Sequence, residues 1–208
     1  MSEDFYRIKR LPPYVFAEVN RLKADYRSKG VDIIDFGMGN PDMDTPHHIV
    51  EKLVETVRKS RTHRYSSSKG INGLRKAQAR YYKNRFDVAL DPEREIIATL
   101  GSKEGLANLA MAITAPGDVM LVPNPSYPIH PYGFMIAGGT LRHLPTLHDG
   151  KFKPEEYMQS LSRAVAHSVP KPVALVVSFP SNPTAQLCDI DFYKELISFA
   201  KKNNLESL

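Results

Sequence analysis

The residues best suited to chemistry in this sequence follow short apolar runs, at the points where the chain turns into its next element. The run that ends at Leu100 continues as the segment 101–105, GSKEG. A glycine turn that opens a helix presents free backbone N–H groups and the positive end of the helix dipole, and here Ser102 adds a hydroxyl and Lys103 a cation. This combination outlines a phosphate site, although Gly-Ser is also an ordinary helix start. The segment matches neither the Walker loop nor the G-x-G-x-x-G fingerprint.

Three further loops follow apolar runs in the same way. The segments 123–128 (PNPSYP) and 179–184 (FPSNPT) are stiffened by proline, and each presents an asparagine. Tyr127 has a ring that stacks on flat ligands, and Asn182 has an amide that hydrogen-bonds to them. In a third loop, Gly39 lets a ligand approach the backbone closely. Each loop taken singly is equally consistent with a plain turn.

Apolar spacing predicts the elements that must position these loops. Helical periodicity indicates helices over about 13–30, 46–57 and 72–86, with a short strand over 31–36. From residue 95 onward, apolar strands alternate with helices, which is typical of a parallel sheet. The predicted strands are 96–100, 119–122, 141–144 and 173–178, and the predicted helices are 102–115, 129–137, one starting at 154, and 192–201.

The resulting fold class is α/β, with a mostly parallel sheet, flanking helices and a preceding helical segment. We expect two parts. Residues 1–90 form the N-terminal helical segment, and residues 91–208 begin a larger α/β domain. Open sheets of this kind bind ligands at the carboxyl ends of their strands, which is where the loops described above lie.

Charge is concentrated in the first part of the chain. The sequence holds 28 basic and 23 acidic residues, a net charge of +5, and the stretch from Arg58 to Arg85 contains ten Lys or Arg residues and no acid. Tyr65 lies within this stretch. Such a segment attracts phosphates of nucleic acid or of a small cofactor, but a solvated helix face with a basic loop is the commoner interpretation.

Composition narrows the class of protein. The chain has 208 residues, 42% hydrophobic and 25% charged, which are ordinary globular values. No apolar run approaches the roughly 18 residues of a membrane span, and acids near the N-terminus disfavour a secretion signal. Cys188 is the only cysteine, which excludes an internal disulfide. We therefore expect a cytoplasmic protein without a metal site.

Taken together and in this order, the motifs resemble those of fold type I (class I/II) pyridoxal-phosphate aminotransferases. The resemblance is strongest to the glutamate–pyruvate (alanine) aminotransferase subgroup, with LL-diaminopimelate aminotransferases as neighbours. It extends from Tyr6 to about Asn204. The motifs that carry it are 11–16 (LPPYVF), 37–46, 65–66, 101–105, 123–130 and 179–186.

The resemblance implies a cofactor, pyridoxal 5'-phosphate, and a role for each matching residue. Ser102 and Lys103 would hold the cofactor phosphate, Tyr127 would stack on its ring, and Asn182 would hydrogen-bond to its phenolic oxygen. Tyr65 would reach the phosphate of the neighbouring subunit in a homodimer, which accounts for the basic stretch without nucleic acid.

Two further expectations also come from the resemblance. Gly39 and Tyr14 would contact the carboxylate end of the substrates, a small amino acid and a 2-oxo acid. The bonds preceding Pro125 and Pro183 are expected to be cis.

The sequence also lacks parts of the family pattern, and we assign no catalytic residue within it. The Schiff-base lysine, the acid for the ring nitrogen and the arginine for the substrate carboxylate would all follow Leu208. Lys69 and Arg75 imitate them only loosely, with the wrong spacing. We therefore expect a truncated, inactive aminotransferase chain whose strand over 96–100 lacks its usual neighbour, leaving unpaired edges and exposed apolar faces.

The alternative is a non-catalytic remnant or the half of a split enzyme, which binds a complementary C-terminal fragment or a related subunit.

Overall fold

The structure is a computed structural model that describes residues 5–37, 39 and 41–208. The chain divides into two compact units. Met1–Pro12 and Leu100–Leu208 form the first, which we call the sheet unit, and Pro13–Thr99 forms the second, the helical unit. The expected domain division at residue 90 stays a prediction.

Helices and strands alternate through the second half of the described chain. The elements are α1 (Tyr6–Lys9), α2 (Val15–Ser28), α3 (His47–Val57), α4 (Asn72–Phe86), α5 (Ser102–Ile113), β1 (Val119–Asn124), α6 (Ile129–Ala137), β2 (Thr140–Pro145), α7 (Pro154–Ala166), β3 (Pro172–Leu175), α8 (Ile190–Lys202) and β4 (Glu206–Ser207). Across the described ranges, no helix has the length and apolarity that crossing a membrane requires.

The four strands form one parallel sheet in the order β2-β1-β3-β4. Along the β1–β2 pair the register runs from Val119 opposite Thr140 to Asn124 opposite Pro145. The predicted parallel α/β architecture is therefore confirmed. The last predicted strand is shorter than expected, although the N–H of Val176 still donates to the Leu121 carbonyl over 2.9 Å.

Helices cover the sheet on both faces. Successive residues of a strand point to opposite sides, so each face carries its own set of side chains. Leu121 of β1 belongs to a core cluster with residues of α7 and α8, whereas its neighbours Met120 and Val122 pack with α5 and α6. All three side chains are fully buried. This double coverage explains why β1 reads in sequence as an unbroken apolar run.

An aromatic cluster lies at one side of this core, around Tyr157. The Tyr157 ring centroid is 5.7 Å from those of both Phe152 and Phe192, and Phe179 lies 4.7 Å from Phe152. Tyr157 is almost completely buried. The cluster therefore joins α7, α8 and the loops that precede them.

In the helical unit, the best-buried polar side chain is Arg75 of α4. Its guanidinium donates to the carbonyls of Pro92 (2.8 Å) and Gly70, and it pairs with the Glu93 carboxylate at 2.8 Å. Since Gly70 has a φ of 83°, its backbone adopts a conformation that favours glycine. Arg75 thus ties α4 to the two loops on either side of it.

Two predicted strands are wrong. Residues 31–36 and 96–100 are not in strands, and Ile97 and Leu100 have 63% and 92% of their surface exposed. A strand needs a neighbour that pairs with its backbone, and in 96–100 the N–H of Ala98 instead donates to the carbonyl of Lys69 over 3.0 Å. The expectation that 96–100 lacks its usual neighbour stays a prediction.

Replacing Leu121 by Ala should destabilise the sheet unit by about 2–5 kcal/mol, because the change leaves a cavity at the centre of a closed core. Leu187, which is 68% exposed, provides the control. Its replacement by Ala should change stability by less than about 0.5 kcal/mol. Urea unfolding followed by circular dichroism measures both, and equal losses in the two variants would contradict the core assignment.

Replacing Arg75 by Gln should weaken the helical unit by about 1–3 kcal/mol. Most of this cost comes from carbonyls that lose their donor, since the Glu93 side chain is 55% exposed and the ion pair itself contributes little. Hydrogen exchange of the α4 amides should accelerate. The exposed Arg80 lies on the same helix, so the Arg80→Gln variant is the control and should exchange like the wild type.

Candidate functional site

Helix α5 begins directly after a glycine turn. Gly101 precedes it with a φ of 85°, and a Cβ at this position would meet no atom within 4 Å. Gly101, as the N-cap residue, has no side chain with which to cap the helix, and the Glu104 carboxylate of the first turn accepts from the N–H of Leu100 over 2.6 Å. The Ser102 hydroxyl and the Lys103 ammonium both extend from this first turn, at the positive end of the helix dipole, and both side chains are exposed.

Lys103 and Tyr127 are in contact. The Lys103 Nζ lies over the Tyr127 ring, 5.2 Å from its centroid, which is within the range of a cation–π interaction. Helix α5 leads through a short turn into β1 and therefore runs back along the sheet, so its amino terminus meets the loop that leaves the carboxyl end of β1. The backbone path thus brings together two residues that lie 24 positions apart.

His130 belongs to the same site and was not assigned a role from the sequence. Its ring is 6.1 Å from the Tyr127 ring at an interplanar angle of 73°, an edge-on contact. Burial lowers the pKa of His130, and its Nδ1 is buried without a hydrogen-bond partner among the described residues. The available signal was its position three residues after Tyr127, at the start of α6, where a helical turn returns the side chain to the same loop.

Asn182 lies in a loop that is closed by its own backbone. The N–H of Ser181 donates to the Gln186 carbonyl over 2.9 Å, and the Gln186 side chain accepts from the N–H of Phe152, also over 2.9 Å. This loop follows β3, the neighbour of β1, so Asn182 is at the same edge of the sheet as Tyr127. Its amide is exposed. The peptide bonds preceding Pro125 and Pro183 are both cis, as expected.

The remaining expected site residues belong to the helical unit. Tyr65 is completely exposed, Tyr14 is 55% exposed with its ring 5.6 Å from that of Phe16, and Gly39 has open space where a side chain would stand. The neighbouring residues 38 and 40 of the 37–46 motif lie outside the described residues. Their assigned roles therefore stay predictions.

Lys69 and Arg75, which resemble catalytic residues only superficially, have local roles. The Lys69 ammonium donates to the Glu93 carbonyl over 3.3 Å, and Arg75 is buried in the network described above. Within the described ranges, no group of three or more His, Cys, Asp or Glu side chains is arranged to hold a metal ion.

The chemistry of the sheet-unit groups suits an anionic ligand with a flat ring. The α5 terminus offers N–H groups, a hydroxyl and a cation to a phosphate, Tyr127 offers a ring face, and Asn182 offers an amide to a ring oxygen. All of them are supplied by the loops at one edge of one sheet.

Comparison with known proteins identifies relatives of this chain. Residues 31–206 match the family described as Aminotransferase class I and II. A putative aminotransferase, AatC, of Rhizobium meliloti is 61% identical over 98% of this chain and 49% of its own length. The glutamate–pyruvate aminotransferase AlaC of Escherichia coli is 50% identical over 95% of this chain and 47% of its own. The chain spans about half the length of the curated relatives it matches.

Solved structures agree with the fold. The substrate-bound structure of BacF from Bacillus subtilis superposes with a TM-score of 0.82 and 31% identity, covering 100% of this chain and 51% of that one. The aspartate aminotransferase of Thermus thermophilus with maleate has a TM-score of 0.82 and 30% identity, covering 98% of this chain and 52% of that one.

The lowered pKa of His130 predicts that acid destabilises the sheet unit. Burial holds the folded-state pKa of His130 below the ordinary value of about 6.5, so the unfolded chain binds a proton at a higher pH than the folded chain does. The free energy of unfolding therefore falls as the pH drops from about 7.5 through the unfolded and then the folded pKa of His130. The His130→Gln variant should lose part of this pH dependence. His143 is exposed, and a His143→Gln control should keep it. Equal pH slopes in thermal unfolding of both variants would contradict the assignment.

Proposed function

Since the chain belongs to the class I and II aminotransferase family, we propose that its 208 residues form the cofactor-binding wall of an enzyme that moves an amino group between a small amino acid of the alanine or glutamate type and a 2-oxo acid. The observation that carries the proposal is the contact of Lys103 with Tyr127 at the amino terminus of α5. The 50% identity to a glutamate–pyruvate aminotransferase favours these substrates.

Aminotransferases of this family depend on pyridoxal phosphate. When bound, this cofactor supplies an aldehyde that takes up the amino group and a ring that accepts electrons. Ser102 and Lys103 would hold its phosphate, because they stand in the first turn of α5, where a helix amino terminus offers backbone N–H groups and the positive end of its dipole. Tyr127 would orient the ring by stacking, and Asn182 would donate a hydrogen bond to the ring's phenolic oxygen.

We propose that the enzyme acts as a homodimer in which three residues of the helical unit also bind ligand. The family acts on amino acid and 2-oxo acid substrates and is typically dimeric. Tyr65, whose ring is fully exposed, would bind the cofactor phosphate of the partner subunit. Gly39 and Tyr14 would lie at the carboxylate end of the substrate. We also propose a cytoplasmic location.

These residues alone would not catalyse the transfer. An aminotransferase of this type needs a lysine that bonds the cofactor and moves the proton. Among the described residues, Lys103 is the lysine that contacts a proposed cofactor group, and its charge is assigned to the phosphate. The catalytic lysine would therefore come from polypeptide outside these 208 residues.

A second candidate is a non-catalytic remnant, or one half of a split enzyme, that binds a complementary fragment or subunit. The observation that favours it is the exposed apolar stripe of α3. Its side chains are between 42% and 63% exposed, and they are Ile49, Val50, Leu53, Val54 and Val57. An apolar stripe of this width normally packs against another element.

The purified 208-residue chain, supplied with pyridoxal phosphate, alanine and 2-oxoglutarate, should show no turnover above background. Co-expression with the part of the Escherichia coli relative that this chain does not cover should restore transamination. A Tyr127→Leu change in the restored pair should lower activity at least tenfold, whereas Arg80→Gln on the surface of α4 should not.

Clear turnover by the chain alone would refute the proposed lack of catalysis. A stable complex without activity would instead support the non-catalytic candidate, and the absence of any complex would contradict the split-enzyme version.

A further inference from the structure

The contact between Lys103 and Tyr127 joins the two halves of the proposed cofactor site. Lys103 stands in the first turn of α5, directly after Ser102, whereas Tyr127 lies in the loop after β1. The 5.2 Å from Nζ to the ring centroid places the ammonium against the ring and its π-electrons. Lys103, which is assigned to the cofactor phosphate, therefore also acts on Tyr127, which is assigned to the cofactor ring.

The Tyr127 ring is only half-buried, so the backbone alone does not fix its orientation. The Tyr127 carbonyl accepts a hydrogen bond from the N–H of His130 over 3.0 Å, which holds the main chain of the loop. The ring itself is contacted by the edge-on imidazole of His130 and by the Lys103 ammonium. Of these two groups, burial lowers the pKa of the imidazole, so Lys103 provides the positive charge at neutral pH.

We propose that Lys103 is a positioning residue for Tyr127, in addition to holding phosphate. This inference rests on the proposed function. Its ammonium holds the ring in the orientation in which a flat cofactor ring stacks on it. Loss of the lysine therefore weakens recognition of the ring as well as recognition of the phosphate. If Lys103 acted on phosphate only, ligands that lack a phosphate would bind equally well without it.

The first test needs no ligand. Lys103 has other interactions too, so a single variant does not isolate the ring contact, and a double-mutant cycle with Lys103→Met and Tyr127→Leu is required. The unfolding equilibrium constants should show a coupling of about 2- to 5-fold between the two sites, the size of an exposed cation–π contact. Additive effects would overturn the proposal.

Matched variants test the nature of the contact. The Lys103→Arg variant keeps a cation, and the Tyr127→Phe variant keeps the ring face without the hydroxyl. When either variant takes the place of the wild-type residue in the cycle, the coupling between the two positions should be retained. If Tyr127→Phe abolished the coupling, the contact would depend on the hydroxyl and the proposal would be wrong.

The second test measures binding with pyridoxine 5'-phosphate, pyridoxine and inorganic phosphate as probes. Pyridoxine carries an alcohol in place of the aldehyde and forms no bond with surface lysines. The chain contains no Trp, so pyridoxine fluorescence in equilibrium dialysis reports its binding directly. Lys103→Met should weaken pyridoxine binding by about 2- to 5-fold and pyridoxine 5'-phosphate binding by more.

The outcomes separate the two proposals. Unchanged pyridoxine affinity in Lys103→Met, with weaker binding of the phosphate-bearing probes, would show a phosphate role alone and overturn the positioning role. A wild-type chain that binds none of the probes would refute the proposed cofactor site. In that case the unfolding cycle alone decides whether Lys103 positions the Tyr127 ring.

Discussion

The burial of β1 on both faces is the constraint on which the rest of the sheet unit depends. A parallel strand carries side chains on two sides, and both must be covered if both are apolar. Leu121 meets that requirement through α7 and α8, and Met120 through α5 and α6. Because α5 lies on one face and runs opposite to β1, its amino terminus is at the carboxyl end of the strand, together with the loop that holds Tyr127.

The candidate site is formed by exposed residues, and the core that positions it is formed by buried ones. Ser102, Lys103 and Asn182 are exposed, and they contribute little to the core. Their positions are set by buried neighbours and by hydrogen bonds such as that between Gln186 and Phe152. The geometry of the site therefore depends on the packing of other residues.

Much of this arrangement could be predicted from the sequence, because periodicity and turn residues are local properties. The helices at 72–86 and 129–137 have the predicted bounds, and β1 and β2 fall where apolar runs stand. The segment 96–100 has the same kind of apolar run but is not a strand, since pairing depends on a neighbour and not on the segment itself. The same limit applies to the site. Ser102 and Tyr127 could be proposed from their motifs, whereas the contacts of the Tyr127 ring with Lys103 and His130 depend on how α5 and α6 pack.

The aromatic cluster around Tyr157 has a consequence for how the molecule can be observed. With no Trp in the chain, tyrosines dominate its near-ultraviolet absorption, and Tyr157 is the one that the core encloses most completely among the described residues. Burial raises the pKa of its phenol well above the ordinary value, so in alkaline solution this ring ionises after its exposed counterparts. Rings packed at fixed angles also give strong near-ultraviolet dichroism. The near-ultraviolet signal of Tyr157 therefore reports loss of side-chain packing in the sheet unit, separately from loss of helix.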